Sequence, residues 1–116
     1  MSPRRRPFYW ILIDKVPRPL ANDEPSLLQW AEWHQSFENR VVAKTKVGPD
    51  IEVSTVFLGL DHGFMDGPPL LFETMVFADD DHPENGYVER YSTWEQAERG
   101  HAATVERLRP RLRLVQ

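Results

Sequence analysis

At 116 residues, with 41% hydrophobic and 28% charged side chains, the chain has the size and composition of one folded domain rather than of a disordered segment. It contains no cysteine, which excludes disulfides, thiolate metal sites and a cysteine nucleophile, and which suits a reducing cytoplasm. The net charge of −4 is unevenly spread, because residues 1–19 and 99–116 each carry five basic groups against one acidic, whereas residues 20–98 carry four against sixteen.

The opening MSPRRRPFYWILIDK sets arginines before an apolar run, as a secretion signal does. The run stops at Asp14 after about seven residues, and no small-residue cleavage site follows. No stretch approaches the ~18 apolar residues of a membrane span. A cytoplasmic protein without a membrane partner is the expectation.

FYWILID (8–14) is rich in aromatic and β-branched residues and reads as an interior strand. KVPRPLANDE (15–24) holds two prolines and Asn22-Asp23 and reads as a loop. A first helix is expected from Pro25, with Ser26 and Gln29 at capping-box spacing, ending at Asn39. Leu27, Trp30, Ala31, His34 and Phe37 would form its inward stripe. Trp33 lies at the border of that stripe, and its two readings are a core residue or an exposed interface anchor.

VVAKTKV (41–47) and IEVSTVFLGL (51–60), joined by Gly48-Pro49-Asp50, make a hairpin. Alternation places Ile51, Val53, Thr55 and Phe57 towards the helices. After the turn-rich loop DHGFMDGPP (61–69) come a strand, LLFETMVFA (70–78), the acidic loop DDDHPENG (79–86) and an edge strand, YVERYS (87–92). The last helix starts at Ser92 or Thr93, since both Ser92/Glu95 and Thr93/Gln96 have capping-box spacing. Its stripe is Trp94, Ala97, His101, Val105, Leu108 and Leu112, and Pro110 should end or kink it.

The order β-α-β-β-β-β-α implies an α+β domain over residues 1–116: a two-layer sandwich whose antiparallel sheet of four to five strands carries two helices on one face. Residues 1–7 would form a basic arm, and 110–116 a tail. Two helices cover one face only, so Val56, Leu58, Leu60, Met75 and Phe77 would be left on an open one.

Phosphate-binding glycine patterns, a nucleophile elbow and a paired-histidine zinc helix are all missing from the sequence. Four scattered groups could bind a metal or small molecule, and could serve an enzyme, if they converge: Asp61 and His62 at a strand end, Glu73 within an apolar strand, and His101 on a helix stripe. The competing reading makes His101 a core histidine, pairs Glu73 with Arg90 or Lys44 across strands, and has Asp61 cap its own loop. Asp79, Asp80, Asp81 and Glu84 invite calcium but lack the helix-loop-helix spacing, and an acidic solvated turn is the better reading. The arginines at both ends could form a nucleic-acid patch, although the acidic body would repel phosphate.

Three stretches, EVSTVFLGLDHGF (52–64), GPPLLFETMVF (67–77) and RYSTWEQAERGHAATVERL (90–108), cover a little over a third of the chain. They resemble a family of small proteins found among bacteriophages, prophages and some bacteria. The resemblance implies an origin and carries no catalytic residue or cofactor with it. Small accessory phage proteins commonly act by binding, which implies a host enzyme, a defence complex or a signalling nucleotide as partner. A non-enzymatic interaction protein without a cofactor, engaging a host protein or itself, is the expectation.

Overall fold

In the computed structural model, residues 6–63 and 67–109 are described. The flexible arm and tail expected at 1–7 and 110–116, the break expected at Pro110 and the stripe residue Leu112 fall wholly or largely outside them. The fold is α+β and antiparallel, with a two-stranded and a four-stranded sheet.

The N-terminal segment corrects the expected interior strand. Trp10–Ile13 (β1) and Val16–Pro19 (β2) form a hairpin of their own. The turn between them, Asp14-Lys15, takes positive φ at both residues (51° and 68°), the backbone twist that a two-residue hairpin needs. The segment expected to be a loop therefore pairs, despite its prolines. Ile13↔Val16 and Ile11↔Arg18 are the hydrogen-bonded positions of this register, and Pro17 and Pro19 fall on the alternate ones, where no N–H is required.

The helix Glu24–His34 (α1) starts on Asp23, whose side chain accepts from Ser26 N–H at 2.8 Å, so the cap lies three residues before the expected one. Pro25 sits in the first turn as expected. The helix stops at His34, and a separate 3-10 turn holds Phe37–Asn39. Its inward stripe also differs: Leu27, Ala31 and Phe37 are exposed, and Trp30, Trp33 and His34 make the contacts.

Val41–Gly48 (β3), Ile51–Phe57 (β4), Phe72–Phe77 (β5) and Val88–Tyr91 (β6) follow in simple meander order, with β3 and β6 at the edges. Beyond β4 the chain continues the ladder. Leu58 and His62 N–H donate to Leu71 and Leu70 on the β5 side. On the β3 side Gly59 C=O accepts from Trp10 and Asp61 N–H donates to Phe8. The hairpin thus takes over from β3 as the neighbour of the same strand. Leu58 and Leu60, expected on the open face, belong to this junction.

Trp94–Leu108 (α2) opens with the Thr93/Gln96 capping box and covers one sheet face with Ala97, His101, Thr104 and Val105. Opposite them lie Val53, Thr55, Phe57, Phe72, Thr74 and Val76, all at or near zero exposure. Each large apolar side chain buried there contributes about 1.5–3 kcal/mol. An edge-to-face series, Trp33–Phe57–Phe72–Trp94, has centroid spacings of 5.7, 5.1 and 6.3 Å and ties α1 and α2 to the same end of the sheet.

Candidate functional site

Strand alternation divides β4 and β5 into two chemically different faces. Towards α2, two buried threonines meet: Thr55 and Thr74 are register partners with hydroxyls 2.6 Å apart. Thr55 Oγ1 also lies 2.7 Å from His101 Nδ1, and Thr45 Oγ1 is 2.9 Å from Nε2. Tyr91 O–H donates to Thr74 Oγ1 at 3.1 Å. If each hydroxyl donates onward, the chain runs Tyr91, Thr74, Thr55, His101, and the imidazole carries its proton on Nε2 for Thr45. Burial pushes the His101 pKa down and the Tyr91 pKa up, since each charged form would be cut off from water.

This network is closed. Both His101 nitrogens are occupied and the residue is 6% exposed. Gly100 completes it, because a Cβ there would run into the Tyr91 ring and hydroxyl. The sequence holds the signal for the network in inward Thr55 on alternation and His101 on the helix stripe, but the pairing of Thr45, Thr74 and Tyr91 with them needed the register.

The four groups weighed as a shared ligand site do not converge. His101 points from α2 onto one sheet face, whereas Glu73 points to the other face, where it accepts from Arg90 Nε–H at 3.0 Å across the β5–β6 pair. Asp61 sits past the end of β4. Its Oδ1 accepts from Gly63 and Leu70 N–H at 2.7 and 3.1 Å, and its Oδ2 pairs with Arg6. It caps its own loop. His62 is exposed beside it. No group of three or more metal-ligating side chains occurs among the described residues.

Trp33 packs on Phe57 and is a core contact rather than an exposed anchor. Trp30 and His34 hold α1 to the junction: their ring Nε1–H and Nε2–H donate to the carbonyls of Gly59 and Leu58 at 3.0 and 2.9 Å. Gly59 has φ +78°, and a Cβ there would come within 2.9 Å of the His34 ring. Burial lowers the His34 pKa, more than the bond to Leu58 raises it.

The described parts of the two basic ends lie far apart. Arg6 is at Asp61, beyond the C-terminal end of β4. Arg107 pairs with Glu84 and lies over the Tyr87 ring, at the end of the sheet where β4 begins. One nucleic-acid patch built from both is not formed by these residues. Glu84 is held by this pair beside the acidic turn.

The face away from α2 is different. Lys44, Glu52, Ser54, Val56, Glu73, Met75 and Phe77 alternate out of it, with Phe37 at one side, and enclose an open groove of about 350 Å3. Val56, Met75 and Phe77 were expected there. Phe77 is 50% and Phe37 47% exposed, a large apolar surface with no covering element among the described residues. Lys44–Glu52 (3.5 Å) and Glu73–Arg90 flank the apolar floor. A larger cleft of about 540 Å3 lies at the start of α1, between Phe8, Tyr9, Leu27 and the acidic pair Asp23 and Glu24. Its wall includes Arg6, the first described residue, so this outline belongs to the described residues alone.

No helix among the described residues is long and apolar enough to cross a membrane.

No protein-family model, curated protein or solved structure matches the chain.

The fold separates a sealed polar core from an open apolar groove.

Proposed function

We propose that this chain is a small accessory protein of phage or prophage type, which acts in the host cytoplasm by binding a host macromolecule through the outer face of its four-stranded sheet. The observation that carries this reading is the groove over Val56, Met75 and Phe77, left open among the described residues while the opposite face of β4 and β5 is covered by α2. Exposed aromatic side chains grouped on one face are costly to a monomer unless a partner covers them. The closed state of the His101 network agrees with binding rather than catalysis, since its imidazole offers no free nitrogen to a substrate. The resemblance of three stretches to small phage proteins supports the origin, and counter-defence or host takeover is the process such a binder would serve.

A photo-crosslinking residue placed at Phe77, expressed in the bacterial host, tests this. Adducts are expected from that position and not from Leu28, which is 62% exposed on α1 and serves as control. Equal adducts from both positions, or none from Phe77, would overturn the reading. A crosslinked dimer would replace a host partner with self-association.

A further inference from the structure

Each strand of the larger sheet sends one hydroxyl towards α2: Thr45 from β3, Thr55 from β4, Thr74 from β5 and Tyr91 from β6. With His101 they form a single file. Tyr91 to Thr74 is 3.1 Å, Thr74 to Thr55 2.6 Å, Thr55 to His101 Nδ1 2.7 Å, and His101 Nε2 to Thr45 2.9 Å. Thr55 and Thr74 have zero exposure, and each has a polar neighbour on either side. A hydroxyl carries one proton, so each must donate to one neighbour and accept from the other. The file therefore has only two directions.

In the first, Tyr91 donates to Thr74, the file ends on a bare Nδ1, and Nε2–H donates to Thr45. In the second every bond turns round: Nδ1–H donates to Thr55, Thr55 to Thr74 and Thr74 to Tyr91, while Thr45 donates to Nε2. The internal bonds are equal in number. What reversal adds is a Tyr91 proton in need of its own acceptor. Glu89 is placed to be that acceptor. It is the register partner of Thr74, so its side chain leaves β6 on the same face as Thr74 and Tyr91. Its carboxylate accepts from Tyr87 O–H at 2.7 Å. Burial is the main cause of the raised Tyr91 pKa, and Glu89 adds to it through its charge and as a hydrogen-bond acceptor. A hydrogen bond to an ionised acceptor is about twice as strong as one between neutral groups, which favours the reversed file.

We infer that this file is a reversible hydrogen-bond relay, and that Glu89, acting through Tyr91, sets which nitrogen of His101 carries the proton. Tyr91 and Glu89 are then positioning residues. The relay transmits a change at one edge strand, β6, to Thr45 on the other, β3, where the hydroxyl switches between accepting and donating with no shift of the backbone. It acts on the α2 side of the sheet and is independent of the outer face.

The test uses the full chain labelled with 15N at its four histidines, with ring spectra recorded well above the ordinary histidine pKa of 6.5, where the imidazole is neutral. A ring nitrogen that carries a proton and one that does not resonate in well-separated regions, and His101→Gln identifies the His101 signals. In the parent both nitrogens are expected to carry the proton for part of the time. Tyr91→Phe keeps the ring but removes the acceptor at the end of the reversed file, and should move the proton wholly to Nε2. Glu89→Ala, a change at an exposed position, should move it in the same direction. Thr74→Val cuts the file, and in that background Glu89→Ala should change nothing.

A ring proton that stays on one nitrogen in the parent and in both variants would overturn the inference. An unmoved proton in Glu89→Ala would do so even if Tyr91→Phe failed to fold. A response to Glu89→Ala that survives Thr74→Val would overturn it too, because the coupling would then be the direct field of the carboxylate. Lower stability in Tyr91→Phe with the ring proton unmoved would leave Tyr91 a packing residue and no relay.

Discussion

Nδ1 of His101 and Oγ1 of Thr55 stand 2.7 Å apart at zero to 6% exposure, a polar contact that joins α2 to the middle of β4. Removing the hydroxyl while keeping the shape, as in Thr55→Val, leaves an imidazole nitrogen and the Thr74 hydroxyl short of a partner inside the core. A loss of about 1–3 kcal/mol is expected, read as a lower urea midpoint at unchanged slope. An unaltered midpoint would show that the network contributes no net stability.

The same histidine sets an acid limit. Its folded pKa is lowered by burial, and that of His34 is lowered as well, so below the ordinary value of 6.5 the unfolded chain takes up protons that the folded chain refuses. Stability should be flat above that value and fall as pH drops from 6.5 towards the folded pKa values. No charged group enters as a cause of the His101 shift, and the polar groups meeting its ring are the hydroxyls of Thr45 and Thr55. Urea midpoints at a series of pH values, compared with those of His101→Gln, check this: the variant should lose part of the slope. At the alkaline end Tyr91, raised by burial, works in the opposite sense, and stability should decline as pH rises past the ordinary tyrosine value of 10.

Two glycine replacements should part company. Gly100→Ala drives a methyl group into the Tyr91 ring, which is itself held by Thr74, and should cost about 1–3 kcal/mol or more through overpacking. Gly48→Ala meets nothing within 4 Å and needs no positive φ, so it should be neutral or stabilise by up to ~1 kcal/mol. Thermal unfolding of the two variants side by side is sufficient.

The two helices should also differ in hydrogen exchange. α1 has no buried residue and is held by two ring N–H donors and the Trp33–Phe57 contact, whereas α2 buries four side chains against the sheet. Amides of α1 are expected to exchange through local opening, well before those of α2. Trp30→Phe, which removes the donor to Gly59, should widen the gap and destabilise the chain by about 1 kcal/mol.

Much of this architecture is legible before folding, where one rule dominates. Val53, Thr55 and Phe57 alternate strictly, and their face was set by that alternation alone. The capping box at Thr93 and Gln96 is likewise local chemistry. The rule fails where a long-range partner decides. Prolines at 17 and 19 read as a loop until the Asp14-Lys15 turn fixes the register that makes them harmless. Phe37 fits a helical stripe only if the helix continues past His34, and it does not. The groove was half visible: Val56, Met75 and Phe77 are read correctly, but Leu58 and Leu60 turn into a junction with the hairpin that no period in the sequence announces. The ligand set of Asp61, His62, Glu73 and His101 dissolved for the plainest reason, since Glu73 and Thr74 are neighbours in the chain and therefore face opposite ways.

The spacing of the two prolines in β2 has an outcome beyond the hairpin itself. Pro17 and Pro19 occupy the positions whose backbone would point away from β1. A strand arriving on that side from another molecule would find carbonyls but no donors at either position. The outer edge of β2 is thus blunted against strand addition by its own covalent structure.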